Sequence, residues 1–174
     1  MDRRRFLSET LLAGVVVSLP AALRAQGTPQ GTPQGTPQRA SQGRATTASL
    51  PPLTVYKSAT CGCCRAWVDH MRGAGFTVRT VDTEDLGRVK GELGVPGALQ
   101  SCHTAVVGAY LVEGHVPAAD VKQLLARKPA VRGLAVPGMP IGSPGMEQGD
   151  PHDYDRYEVM AFTAQGRTSV FARH

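Results

Sequence analysis

The chain has 174 residues, a formal net charge of +5 and four cysteines. Most of this charge belongs to the first 49 residues, because residues 50–174 carry 13 Lys and Arg against 12 Asp and Glu. We therefore expect no nucleic-acid partner, since that function needs a clustered basic surface. The part with globular composition, about 125 residues, is long enough for one domain with its own core.

The first 25 residues have the pattern of an export signal. Three arginines, Arg3–Arg5, precede an apolar stretch from Leu11 to Leu23 that Pro20 interrupts. The stretch is too short and too broken to span a bilayer, and the paired arginines are typical of the twin-arginine route, with cleavage near Ala25. We therefore expect a signal peptide at residues 1–25, a periplasmic protein, and membrane contact only through this segment before cleavage. The alternative is an uncleaved membrane anchor.

Residues 26–49 lack the apolar periodicity of a folded segment. They contain three copies of Gln-Gly-Thr-Pro and continue as a polar stretch to Ser49. Because this composition cannot form a packed core, we predict a disordered linker at residues 26–49 and a single folded domain at residues 50–174.

The first half of the folded part alternates strands and helices. Leu53–Tyr56 is a β-prone run, and the apolar positions of Cys64–Met71 have helical spacing, with glycines after them that end the helix. Phe76–Val81 alternates as a second strand, and Leu86–Leu93 is a second predicted helix. The cluster Cys61-Gly62-Cys63-Cys64 therefore lies where the first strand meets the first helix.

The second half begins with a predicted hairpin, His103–Val107 and Tyr110–Val112. A third helix is expected to open at Gly114-His115-Val116-Pro117, because Pro suits a first helical position, and Lys128-Pro129 ends it. A loop rich in Gly, Pro and Met and then a second hairpin are predicted at Gly133–Gly149, Tyr157–Phe162 and Thr168–Phe171.

The resulting order β-α-β-α-β-β-α, with a cysteine pair at the first strand-helix junction, is typical of thioredoxins. We predict an α/β domain of thioredoxin-like fold, in which helices flank a central mixed sheet and a C-terminal hairpin follows.

Four cysteines in an exported chain first suggest structural disulfides, for which three complete pairings exist. The spacing argues against them, because a cross-link among Cys61, Cys63 and Cys64 would remove little unfolded-state entropy. Cys61 and Cys64 form a C-x-x-C unit, whose thiols become more acidic through the helix dipole and the neighbouring Arg65. Such a unit serves dithiol exchange or metal binding, and the additional thiol of Cys63 favours metal.

Three sulfur donors at one helix start, with Cys102 before a later strand, suit a soft metal. A single tetrahedral Zn(II) usually takes cysteines two to four residues apart, a spacing that the adjacent pair Cys63-Cys64 does not have. Thiolates can bridge several Cu(I) ions, so adjacent cysteines are compatible with a cluster. We therefore predict Cu(I) bound by Cys61, Cys63, Cys64 and Cys102, with zinc as the lesser alternative.

Four other residues are candidate secondary ligands. His103 directly follows Cys102, and His115 is expected at a helix start, where the dipole disfavours its protonated form. If Cys102 and His103 both lie on a strand, their side chains should point to opposite faces, which favours a structural role for His103. Met139 and Met146 carry thioethers, which are Cu(I) ligands, although methionine more often fills space in a core.

Four motifs of this sequence resemble those of the CopG-type family, once described as a domain of unknown function. They are Tyr56-Lys57 with Cys61-Gly62-Cys63-Cys64, then Ser101–Ala105, Glu113–Pro117 and Gly133–Pro140, in the family's order. The resemblance runs from about Leu53 to the C-terminus. It implies a periplasmic, thioredoxin-like, copper-handling protein associated with copper resistance, in which the four cysteines hold the metal.

Three functions remain open from the sequence. The leading one is a periplasmic Cu(I)-binding protein involved in copper handling or resistance, with copper ions and other periplasmic copper-resistance proteins as partners. The alternative is a thiol-disulfide or copper oxidoreductase, and the third is a domain with structural zinc or disulfides. Thioredoxins hold a cis-proline directly before the strand at His103–Val107, where this chain has Cys102 instead. That difference disfavours general dithiol exchange, and we assign no catalytic residue.

Overall fold

A computed structural model describes residues 49–174. The predicted signal peptide and all but the last residue of the predicted linker lie outside these residues. The described part has the following strands and α-helices: β1 (Leu53–Lys57), α1 (Gly62–Gly73), β2 (Val78–Asp82), α2 (Leu86–Leu93), β3 (Thr104–Val107), β4 (Tyr110–Glu113), α3 (Ala118–Arg127), β5 (Gly133–Ala135), β6 (Glu158–Phe162) and β7 (Thr168–Arg173). No helix within residues 49–174 is both long and apolar enough to cross a bilayer.

The strands form one mixed sheet in the order β2-β1-β3-β4-β5-β6-β7. The pairs β1/β2 and β4/β5 are parallel, and the other neighbours are antiparallel. The predicted C-terminal hairpin is observed as β6 and β7. The described part is therefore a mixed α/β domain.

The sheet has an apolar core on both faces. Val112 on β4 belongs to a cluster with Trp67 of α1 and Leu124 of α3, whereas its neighbour Leu111 belongs to a cluster with Phe162. Consecutive strand residues point to opposite faces, so these clusters lie on the two sides of the sheet. The central strands are thus covered on both sides, which explains their continuous apolar runs.

Helix α1 begins directly at the cysteine cluster. Its N-cap is Cys61, whose Sγ accepts a hydrogen bond from the backbone N–H of Cys64 at 3.3 Å. Cys64, Trp67 and Met71 are fully buried, at a spacing that places them on one helix face. The helix therefore starts at Gly62, two residues before the predicted start, because a thiol cap rather than the first apolar residue defines its end.

Two sequence predictions are wrong in detail. The sequence predicts a loop at Gly133–Ala135, but these residues form β5 between β4 and β6. A three-residue strand is too short to show a period, and Gly133 is required because a Cβ there would collide with the carbonyl of Leu111. His115, expected to open the third helix, lies before Pro117, the N-cap residue of α3.

His70, in the last turn of α1, links that helix to the start of α3. Pro117 offers no side-chain acceptor at the α3 N-cap, and the backbone N–H of Ala118 instead donates to His70 Nε2 at 3.1 Å. Burial lowers the pKa of His70, and the negative charge of Glu147 opposes this effect. The ring must be neutral at Nε2 to accept this bond, so its protonation breaks the link between the helices.

The stability contribution of His70 is expected to depend on pH. Because folding lowers its pKa, the unfolded chain binds a proton where the folded ring does not, so stability falls as pH drops below about 6.5. The His70→Gln variant keeps an acceptor but does not titrate. Urea unfolding at about pH 7.5 and about pH 5.5 should show a smaller loss for this variant than for the wild type. Equal losses in the two proteins would contradict the assignment.

Candidate metal centre

The fold brings the four cysteines together at one end of the sheet. Cys61, Cys63 and Cys64 follow β1 at the start of α1, and Cys102 precedes β3, the antiparallel neighbour of β1. The end of β1 and the start of β3 meet at the same edge, where Tyr56 pairs with Thr104. All four Sγ atoms lie within 4.8 Å of one another.

The four sulfurs are not equivalent. Cys61 and Cys64 form a disulfide, and Cys63 and Cys102 are free thiols. The Sγ of Cys63 lies 3.5 Å from that of Cys61 and 3.9 Å from that of Cys102. Cys64 is fully buried, whereas the other three are partly exposed, so the cluster opens to solvent on one side. Four thiolates become available only after the disulfide is reduced.

The His115 ring is oriented toward Cys102 by a backbone carbonyl. Its Nδ1 lies 2.8 Å from the carbonyl oxygen of Pro144, to which it donates, and its Nε2 lies 3.0 Å from Cys102 Sγ. A neutral ring with this tautomer presents the Nε2 lone pair to the cysteine cluster, the arrangement that metal-binding histidines use. Burial lowers the pKa of His115, which favours the neutral ring.

His103 lies beneath the cluster. Its Nδ1 is 3.3 Å from Cys102 Sγ, and its ring packs against Trp67 at a centroid distance of 4.4 Å. Burial and the neighbouring His115 and Lys90 lower the pKa of His103 well below its ordinary value. The expectation that His103 points away from Cys102 is wrong, because β3 begins at Thr104 and neither residue lies on a strand.

The His103 Nε2 atom is buried and has no hydrogen-bond partner among residues 49–174. Cys102, His103 and His115 thus form a second set of donor atoms that shares Cys102 with the four-cysteine cluster. Burial and the neighbouring Cys63 sulfur raise the pKa of Cys102 to about 12. The metal-free protein therefore keeps this thiol protonated at neutral pH.

Residues 136–147, here called the site loop, cover the cluster beside α1. Ser101 Oγ donates a hydrogen bond to the carbonyl of Gly138, and the Pro144 carbonyl accepts one from His115. A Cβ on Gly145 would lie 2.7 Å from both the Cys63 oxygen and the Trp67 nitrogen, so the loop backbone packs directly on the helix start. Sequence reasoning missed Pro144 and Gly145, because a backbone contact leaves no signal in residue chemistry.

The two methionine candidates both lie in the site loop. Met139 is 52% exposed, and Met146 directly follows Gly145. The Met146 backbone N–H donates to the Ser143 carbonyl, and its own carbonyl accepts from Gly142, which fixes its backbone in a tight turn. Thioether ligation by Met139 and Met146 stays a prediction from the sequence.

The chain is similar to proteins of solved structure. Two chains named "Copper resistance protein copG", forms 1 and 2, are each 46% identical to it and superpose with a TM-score of 0.67. The match covers 72% of this chain and 98% of each of those chains. The chain belongs to the CopG copper-resistance family.

Residues 99–146 of this CopG-family chain also match a family model described as "Protein of unknown function, DUF411". That segment includes Cys102, His103 and His115 and most of the site loop. No curated protein is significantly similar to the chain. The donor set itself, sulfur with neighbouring imidazole nitrogen, fits a soft metal ion better than a hard one.

The packing of the site loop on α1 can be tested with two matched glycine variants. Gly145 (φ 86°) and Gly149 (φ 79°) are both left-handed, but a Cβ meets neighbouring atoms closer than 4 Å only at Gly145. Gly145→Ala should therefore destabilise the protein by about 1–3 kcal/mol more than Gly149→Ala in urea unfolding. Equal destabilisation would show that the loop does not rest on the helix start.

Proposed function

We propose that this protein is a periplasmic Cu(I)-binding protein that takes part in copper handling or resistance. Cys61, Cys63, Cys64 and Cys102 would hold the metal once the Cys61–Cys64 disulfide is reduced. The single observation that carries the proposal is the convergence of the four sulfurs within 4.8 Å. The names of its solved relatives, copper resistance proteins, supply the identity of the metal.

The proposal includes a thioredoxin-like fold and the division of the chain into a signal peptide (1–25), a linker (26–49) and a metal-binding domain (50–174). Two observations support the fold. The elements β1 to α3 follow one another in the order β-α-β-α-β-β-α that the sequence predicts, and the cysteines lie at the β1-α1 junction. The twin-arginine-like motif supports export to the periplasm.

Charge and spacing favour Cu(I) over a single Zn(II). Four thiolates carry four negative charges, of which one Zn(II) would leave two uncompensated in a partly buried site. Several bridging Cu(I) ions bring the charge closer to zero. The short distances from the Cys63 sulfur to those of Cys61 and Cys102 support a bridging role for Cys63. The proposal includes His115 as an accessory ligand, which is supported by the 3.0 Å distance from its Nε2 to Cys102 Sγ.

A second function, thiol-disulfide or copper oxidoreductase, is favoured by one specific observation. The C-x-x-C pair Cys61 and Cys64 forms a disulfide at a helix N-terminus, and the free Cys63 thiol lies 3.5 Å from Cys61 Sγ. Reduction of this disulfide takes two electrons and two protons from a thiol reductant and yields two thiols. An oxidoreductase would turn over a dithiol substrate without metal, whereas the copper-binding function does not require such turnover.

The copper-binding proposal is tested by anaerobic Cu(I) titration of the reduced protein with native mass spectrometry. We expect several Cu(I) ions per chain, fewer ions in Cys63→Ser because a bridging sulfur is lost, and weaker binding in Cys102→Ser. Thr60→Ser, next to the cluster but without a sulfur change, is the control. Uptake of a single ion, preference for Zn(II) in competition, and unchanged copper binding by Cys63→Ser would together overturn the proposal.

A further inference from the structure

A buried ion pair lies next to the segment that carries Cys102. Lys90 of α2 is 4% exposed and Glu113 at the end of β4 is 0% exposed, and Lys90 Nζ lies 2.5 Å from Glu113 Oε1. Buried ion pairs contribute little net stability, since apolar residues of similar volume often replace them without loss. Stability alone therefore does not explain why this ion pair lies next to the segment that carries Cys102.

The Glu113 carboxylate holds the chain on both sides of Cys102. Its Oε1 accepts the backbone N–H of Ser101 at 2.6 Å, and its Oε2 accepts the hydroxyl hydrogen of Thr104 at 2.6 Å. The Thr104 hydroxyl oxygen in turn accepts from Lys90 Nζ at 2.9 Å. One carboxylate thus fixes the residue before Cys102 and the first residue of β3.

Each partner in this network has a distinct part. Burial raises the pKa of Glu113, and the Lys90 ammonium and the donated hydrogen bonds act against that rise. Lys90 compensates the charge that the buried carboxylate introduces. The Ser101 N–H contact is the one nearest to the cysteine, because Ser101 directly precedes Cys102 and lies outside β3.

We propose that Glu113, whose charge Lys90 compensates, is a positioning residue. It holds the Cys102 sulfur close enough to the Cys63 sulfur for the two to bind one metal ion or to form a disulfide. The proposal rests on the proposed function only in taking Cys102 as a copper ligand. The two sulfurs are 3.9 Å apart, a spacing that one bridging metal ion can span with two bonds of about 2.3 Å. Small displacements of a ligand segment are enough to spoil such a site.

Two uncharged double variants separate positioning from stability. Lys90→Met/Glu113→Leu removes both charges and also the acceptor for the Ser101 N–H. Lys90→Met/Glu113→Gln removes both charges but keeps a carbonyl acceptor, and its amide can donate to Thr104. Asp120→Asn is the control, because Asp120 is another largely buried acid whose side chain bonds to His174.

The first readout is independent of copper. In full-length Cys61→Ser/Cys64→Ser protein, Cys63 and Cys102 are the remaining thiols, and a dipyridyl disulfide converts them into one disulfide while it is reduced to two thiopyridones. We expect the Leu double variant to cross-link about tenfold more slowly, and the Gln double variant to remain within about twofold of the parent. The second readout, Cu(I) affinity of the four-cysteine protein, should follow the same order.

The positioning role would be overturned if the Leu double variant cross-linked at the rate of the parent protein, or if both double variants were slowed equally. If the Leu double variant does not fold, Glu113→Asp is measured in its place. Its shorter side chain keeps the charge but cannot reach both Lys90 and Ser101. It should slow cross-linking, and a wild-type rate would overturn the proposal. Unchanged copper binding by Cys102→Ser would instead contradict the part of the proposed function that makes Cys102 a copper ligand, while the cross-linking result would still stand.

Discussion

The site depends on one constraint: three cysteines lie at the start of α1, and their sulfurs must be close to one another while the cluster stays open to solvent on one side. The Cys61 sulfur caps the helix, which directs Cys63 outward toward Cys102 and Cys64 inward into the core. The same placement that lets Cys61 and Cys64 form a disulfide brings the Cys63 sulfur within 3.5 Å of Cys61 Sγ.

The rest of the fold supplies what the helix start cannot provide. The antiparallel pairing of β1 with β3 delivers Cys102, and the site loop closes the other side by packing Gly145 on α1. Pro144 fixes the tautomer of His115, so that an imidazole nitrogen faces the same sulfur. The sulfurs therefore come from two segments, and contacts from two other segments limit the freedom of these side chains.

Local patterns in the sequence were sufficient for the order of the main elements and for the cysteine cluster, because strand alternation, helical spacing and C-x-C-C can be read within a few residues. They failed where the structure depends on contacts distant in sequence. Strand β5 has only three residues, and its first residue is Gly133 because a Cβ there would collide with the carbonyl of Leu111. In the sequence, Lys90 and Glu113 cannot be distinguished from ordinary charged surface residues, and only the fold shows that both are buried near Cys102.

Whether the cysteines bind copper together can be tested by copper K-edge X-ray absorption of the reduced, Cu(I)-loaded protein, because this measurement reports the atoms bound to the metal. We expect a first shell dominated by sulfur at about 2.3 Å, with a second shell of copper neighbours that bridging thiolates hold close together. Replacing Cys63 with serine should reduce the copper-copper contribution. A first shell of oxygen and nitrogen without sulfur would contradict a thiolate site, and sulfur-bound copper ions with no metal neighbour would contradict a bridged cluster.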